Sequence, residues 1–244
     1  MTRRLLPLPS RIAILIASRC GPLLILVLAA VAMAALERRA GGFDGTTTGL
    51  VMVLGLPLVL TTVGADLRKG VAPLWVQKPV DPVHFYLGKF VEGALASVGL
   101  TVVTISVVVA VVSWSGWEPA THPLRPVVVN ALFAFVVVSV AFGFCVMVPR
   151  GGKLATMTLF GITIAREALV SMDPSGWDWI GSPLVSTVLF PLRPLIELRT
   201  VGGVEPESVL GPLAWVICYA VAWVVMGALG IRRAFSRGAW ARSA

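Results

Sequence analysis

The sequence predicts an all-α integral membrane protein with six transmembrane helices, and three observations support this fold class. The chain of 244 residues is 57% hydrophobic and only 13% charged, with a mean hydropathy of +0.90. A soluble domain cannot bury that much apolar surface, so the lipid bilayer must be the solvent. Six apolar runs are long enough to cross ~30 Å of hydrocarbon as helices. Lysine and arginine are concentrated in alternate connecting segments.

The six predicted spans are separated by polar or proline-containing segments. They cover residues 20–36, 47–65, 91–113, 127–148, 154–170 and 210–231. Before the first span, residues 9–19 hold apolar positions flanked by Arg11 and Arg19. This pattern is typical of an N-terminal interfacial helix, and a longer, tilted first span is the alternative. Because Arg19 interrupts the apolar stretch and further spans follow, the sequence favours a retained first span over a cleaved signal peptide.

The distribution of lysine and arginine predicts that both termini are cytoplasmic. With the N-terminus inside, the inner segments 1–11, 66–92, 149–153 and 232–244 hold 13 of the 20 basic residues, and the outer segments hold 5. Basic residues accumulate on the cytoplasmic side of membrane proteins. This bias accounts for the net charge of +8, so the charge does not indicate a nucleic-acid partner.

The predicted outer loop between the fifth and sixth spans, residues 171–209, is unusually long. It contains an apolar patch at residues 183–195, in which Pro183, Pro191 and Pro194 forbid one continuous spanning helix. The sequence therefore predicts a partly re-entrant loop, whose short helices dip into the outer leaflet or fold over the outer mouth.

The sequence contains no pattern for self-contained chemistry. Residues 151–153, Gly-Gly-Lys, resemble part of a phosphate loop, but Met147 and Leu154 occupy the positions that need glycine and Ser/Thr. The two histidines, His84 and His122, fall in predicted loops on opposite faces of the membrane. Acids, histidines and cysteines do not gather at metal-ligand spacing. We therefore predict no catalytic residue, no metal site and no cofactor within this chain.

Arg166 and Glu167 form a charged pair of neighbours inside the predicted fifth span. Counted from Leu154, Arg166 lies ~18 Å along the helix, in its outer half. Charges at that depth are costly unless they reach water, a partner or the interface. Two interpretations remain: the pair lines a translocation path or a subunit interface, or both side chains reach the outer headgroups because the span ends near Val170.

Small residues predict close helix contacts in two of the spans. They are Gly93, Ala96 and Gly99 in the third span, and Gly227 and Gly230 in the sixth. Such residues let the backbones of membrane helices approach each other closely. The pattern is too common to specify an oligomeric state.

The segment 66–90, between the second and third spans, is basic, rich in proline and amphipathic. Pro73 and Pro79 limit how far any helix in it can run. Between these prolines, Leu74 and Trp75 form an apolar tip, and the basic residues around them are Arg68, Lys69, Lys78 and Lys89. Asp81 followed by Pro82 is a favourable helix start, with an acidic N-cap and proline at the first helical position.

This segment resembles the one that follows span two in the permease subunit of type-2 ABC transporters, the ABC-2 exporter family. The matching positions are Asp66, Gly70, Leu74, Pro79, Val80, Leu87, Gly88 and Lys89. In plan, the resemblance covers the whole chain: an interfacial N-terminal helix, six spans, cytoplasmic termini and a long apolar outer loop. The chain departs from the family pattern in three places, because Val71 replaces a hydroxyl residue, Pro73 falls inside the turn and the acid is aspartate.

The resemblance implies that segment 66–90 is a coupling element that docks on a separate ABC ATPase subunit. The implied coupling residues are Asp66, Gly70, Leu74, Trp75, Lys78 and Pro79. ATP and Mg²⁺ would bind to that ATPase, and a second permease copy, identical or paralogous, would complete a dimer whose path involves spans one, two and five. The implied location is the plasma membrane, specifically a bacterial inner membrane, with lipids as further partners.

Three other interpretations remain on the sequence alone. The basic segment could simply adsorb to anionic lipid. The chain could be a membrane anchor or assembly subunit that recruits a different partner. A secondary carrier is the third, and the shortage of intramembrane acids counts against it. The transported substrate cannot be inferred from the residues.

Overall fold

A computed structural model describes residues 81–114, 124–148 and 206–236, together with residues 154, 157, 158 and 161. In this part of the chain the regular structure is entirely helical. The three helices are α1, Pro82–Trp114; α2, Leu124–Met147; and α3, Pro206–Ser236. Each of them is long and apolar enough to cross a membrane. The described part is therefore that of a multi-pass, all-α membrane protein.

The three helices correspond to three of the predicted spans: α1 to 91–113, α2 to 127–148 and α3 to 210–231. Other predicted features lie outside the described residues. They are the spans 20–36 and 47–65, most of 154–170, the interfacial helix, both termini, and nearly all of the outer loop 171–209.

Helix α1 begins nine residues before the predicted start of its span, at Pro82 instead of residue 91. The reason is local, because Asp81 caps the helix and Pro82 occupies the first helical position, where its missing N–H costs nothing. The predicted helix start at Asp81 is thus confirmed. His84, predicted in a loop, lies instead in the first turn of α1.

The start of α1 packs against the ends of α2 and α3. The ring centroids of Phe90 and Phe142 are 4.9 Å apart, and those of Tyr86 and Phe235 are 6.5 Å apart. These rings belong to a core cluster that also contains Ile231. Helix α1 is therefore antiparallel to α2 and α3, which run in the same direction.

Helix α2 is the central element of the three. Residues 136–142 are all fully buried, and they cover every side of the helix over almost two turns. A helix that is apolar and buried on all sides belongs to the interior of a bundle. By contrast, only 11% of the apolar stretch of α3 is buried, against 67% for α2. Most of the described surface of α3 thus faces outward.

Glycines allow α2 and α3 to approach closely. A Cβ atom added to Gly227 would lie 2.6 Å from the ring of Phe142, and one added to Gly230 would lie 3.0 Å from Val146. The predicted close approach at both glycines is confirmed. Gly99 differs, because it is exposed and no described atom lies within 4 Å of a Cβ placed there. Gly99 therefore mediates no contact among the described helices.

Candidate functional site

The coupling residues implied by the resemblance lie outside the described residues. These are Asp66, Gly70, Leu74, Trp75, Lys78 and Pro79. Arg166 and Glu167, the candidates for a path or a subunit interface, also lie outside them. The structure does describe the last part of the same segment, residues 81–90. The candidate functional site is therefore the junction at which that segment joins the helical bundle.

Asp81 fixes the first turn of α1 through its carboxylate and its backbone. The N–H of Val83 donates to Oδ1 of Asp81 over 3.0 Å, and Nδ1 of His84 donates to Oδ2 over 2.7 Å. The N–H of Phe85 donates to the backbone oxygen of Asp81 over 3.1 Å. This network satisfies amide groups that have no partner within the first turn of a helix.

These contacts lower the pKa of Asp81 below its ordinary value. The largest cause is the hydrogen bond from His84, followed by the hydrogen bond from the N–H of Val83. The positive charge of Arg232, near the end of α3, acts in the same direction. The carboxylate is thus anionic at neutral pH, close to the helix N-terminus, where negative charge is favourable.

Aromatic packing attaches the start of α1 to the bundle. Tyr86 is fully buried, and its ring lies 6.5 Å from that of Phe235 in α3. Phe90 packs on Phe142 at one side and on Phe135, at 6.3 Å, on the other. A displacement of this first part of α1 would therefore move its neighbours in α2 and α3 as well.

Three of the positions that match the ABC-2 pattern lie in this part of α1. Leu87 is partly buried against the core around Tyr86. Gly88 is exposed, and no described atom lies within 4 Å of a Cβ placed there. Nζ of Lys89 lies 5.0 Å from the centroid of the Phe85 ring, which is a cation–π contact. Leu87 thus serves packing, whereas Gly88 makes no close packing contact among the described residues.

Positive charge accumulates at the same end of the bundle. Arg232 and Arg233 are exposed near the end of α3, and Arg233 lies in the last turn, where a cation is favourable for the helix dipole. With Lys89 of α1, they form a basic rim beside the capped helix start. Such a rim suits either anionic lipid headgroups or an acidic protein surface.

Buried hydroxyl groups in α1 were not singled out from the sequence. Ser97, Thr101 and Thr104 recur at i, i+4 and i+7, and each is at most 2% exposed. The hydroxyl oxygens of Ser97 and Thr101 have no hydrogen-bond partner among the described residues. Ser139 in α2 differs, since its hydroxyl donates to the backbone oxygen of Phe135 over 2.8 Å. The sequence signal for this buried row is the recurrence of hydroxyl side chains at helical spacing within an apolar run.

The described helices hold no group of three or more histidines, cysteines or acids that could bind a metal ion. The arrangement at the start of α1 is suited to transmitting a displacement and to binding anionic surfaces. Comparison of the chain with protein-family models, curated protein sequences and solved structures finds no match.

Proposed function

We propose that this chain is the membrane-spanning permease subunit of an ATP-driven ABC exporter. In this proposal, segment 66–90 couples it to a separate ATPase subunit, and a second permease copy completes the complex in a bacterial inner membrane. The chain would bind neither ATP nor Mg²⁺ itself, because both belong to the ATPase. The proposal rests on the ABC-2-like pattern of segment 66–90.

The observation that carries the proposal further is the way in which this segment continues into α1. Asp81 caps the helix, and Tyr86 and Phe90 lock its first turns to α2 and α3. Helix α1 is 33 residues long in all, or about 50 Å at the rise of an α-helix. A displacement applied at Asp81, where the segment enters α1, would thus reach α2 and α3, as a coupling element requires.

Coupling would work through the apolar tip of the segment. Closure of two ATPase subunits around ATP would push on Leu74 and Trp75, while Lys78 and the basic rim orient the contact. The push would tilt α1 together with its packed neighbours and change access to the path. Arg166 and Glu167 are the proposed polar residues of that path or of the subunit interface.

A membrane anchor or assembly subunit is the principal alternative function, and it needs no path. The described helices carry acids only at Glu92 and Glu207, and this scarcity counts against a proton-coupled carrier. The anchor would still use the basic segment, although for a partner other than an ATPase.

The proposal is tested by co-purification of the tagged chain from native membranes in mild detergent. We expect recovery of an ATPase that contains a phosphate loop, loss of that ATPase with Leu74→Asp, and its retention with the matched control Leu74→Met. Equal membrane levels of both variants show that insertion is intact. If no ATPase is recovered with any form, even after crosslinking in intact membranes, the chain is not an ABC permease and the anchor function is favoured.

A further inference from the structure

A groove lies between α1 and α2 and is lined only by residues of these two helices. Its volume is about 470 Å³, and its lining consists of phenylalanine, valine, alanine and leucine side chains. Its most buried lining residues, Phe90 and Ala94, are 5% and 6% exposed and form its floor. Its rim includes Val91, Leu95 and Val128, which are 46%, 49% and 56% exposed. The groove is therefore a side opening of the bundle and not an enclosed cavity.

The packing of the two helices explains why the groove exists. The ring of Phe90 lies 6.3 Å from that of Phe135 and 4.9 Å from that of Phe142, so it packs between α1 and α2 at one end of the groove. Beyond Phe90, the lining includes Ala94 of α1 and Ala131 of α2, whose small side chains leave space between the helices. The groove thus follows from one large and two small side chains.

The dimensions of the groove match one hydrocarbon chain of a lipid. On α1 the lining runs from Phe90 to Val102, and on α2 from Val127 to Phe135. At 1.5 Å per residue, these stretches are ~18 Å and ~12 Å long. The hydrocarbon of one leaflet is about 15 Å thick, half of the ~30 Å core. An extended acyl chain therefore has the length of the groove.

We propose that this groove binds one acyl chain of a membrane lipid at a defined position. The atoms of an alkyl chain contact their neighbours at about 4 Å, so the chain occupies a cylinder roughly 5 Å across, or ~350 Å³ over 18 Å. That volume fits inside 470 Å³. Both lining helices are apolar enough to lie in the bilayer, where acyl chains are the molecules that surround the open rim.

Other occupants fit the groove less well. A polar ligand would find no hydrogen-bonding side chain in the lining, and its desolvation would go uncompensated. A helix of a second copy is about 10 Å across, so it could only lie over the rim and would leave the floor empty. The acyl-chain site also holds if the chain is an anchor, because it does not depend on the proposed transport function.

The test uses the full chain in phosphatidylcholine vesicles that contain a phosphatidylcholine with a diazirine on its acyl chain. After irradiation, labelled residues are mapped by mass spectrometry. We expect label to concentrate on groove residues such as Leu95 and Ala131, well above the exposed face of α3 at Val221 and Leu229. The same label density on both faces would show bulk lipid contact only and would overturn the proposal.

A groove-filling substitution supplies the second readout. Ala131→Phe should abolish the excess label in the groove, Ala131→Leu should reduce it, and Ala222→Phe on the exposed face of α3 should leave it unchanged. Should Ala131→Phe fail to fold, the graded loss with Ala131→Leu still decides the matter. Two results would contradict the acyl-chain site. One is groove labelling that Ala131→Leu does not change, and the other is crosslinking between two copies of the chain at Leu95 in place of lipid label.

Discussion

The ring of Phe142 in α2 covers the position where Gly227 in α3 lacks a side chain. A Cβ on Gly227 would lie 2.6 Å from Cε1 of that ring. About one turn away along α3, the relationship is reversed, because a Cβ on Gly143 of α2 would lie 2.5 Å from Cε3 of Trp223. Each helix thus presents one aromatic ring to a glycine of the other. In a bilayer, where helices gain little from hydrophobic burial, such close packing is a principal source of association.

Gly143→Ala should destabilise the folded protein by about 1–3 kcal/mol, the usual cost of overpacking a well-packed core. The added methyl would also lie 3.2 Å from the backbone oxygen of Trp223, which cannot move aside without shifting α3. Unfolding of the purified protein in detergent measures the effect. The matched control is Gly99→Ala in α1, where the added Cβ meets no described atom. Equal stability of the two variants would contradict the close approach of α2 and α3.

A second prediction concerns the pairing of Phe142 with Gly227. Gly227→Ala should destabilise the fold because the new methyl meets the Phe142 ring, and Phe142→Leu should relieve that clash. We therefore expect the double variant to be more stable than the sum of the two single effects predicts, with a coupling of about 0.5–3 kcal/mol. The double-mutant cycle is measured by the same unfolding assay. Simple additivity would mean that the two residues do not touch.

The Asp81 cap should make the first turn of α1 sensitive to acid. Its pKa is lowered in the folded state, so its contribution is fully present above the unfolded-state pKa of about 3.9. The contribution is lost as the pH falls through the lower, folded-state pKa. Amide hydrogen exchange of residues 83–90, corrected for the intrinsic pH dependence, should increase in this acidic window.

Two variants separate the charge of Asp81 from its hydrogen bonds. Asp81→Asn keeps an oxygen for the N–H of Val83 and should remove the acid-dependent step, whereas Asp81→Ala should increase exchange at every pH. An unchanged acid-dependent step in Asp81→Asn would show that another group titrates there.

Trp75→Ala should uncouple the proposed complex without preventing membrane insertion. The reason is that Trp75 is an apolar residue outside the predicted spans, where only a partner protein or the membrane interface can cover it. If the ATPase is recovered with the chain, ATP hydrolysis by the purified complex should become independent of the permease in this variant. If ATP hydrolysis by the Trp75→Ala complex still depended on the permease as it does in the wild type, Trp75 would not be part of the coupling contact.

Local signals in the sequence predicted local structure well. Asp81 and Pro82 together marked the start of α1, because a cap and a fixed proline φ act within one turn. Hydrophobic runs long enough to span the bilayer marked all three described helices. The confirmed contacts at Gly227 and Gly230 also followed from residue size alone.

Features that depend on which helices are neighbours could not be predicted in the same way. Gly143 lies in an apolar run like many others, and only the position of Trp223 on α3 gives it a role. Gly99 fits the small-residue pattern, yet it faces away from the other described helices. The groove requires that Ala94 of α1 and Ala131 of α2 line the same space, and no spacing in the sequence specifies this. The coupling residues 66–79 stay predictions, since their evidence is the pattern itself.

The most direct test of the proposed function places a photo-crosslinking amino acid at position 74 of the full chain in intact native membranes. The matched control carries it at position 103, where Val103 is 61% exposed on a membrane-spanning helix. The proposal predicts a crosslink from position 74 to an ATPase with a phosphate loop, and none to that protein from position 103. Crosslinks from position 74 to lipid alone, or to a protein without a nucleotide site, would contradict an ABC permease coupled through this segment.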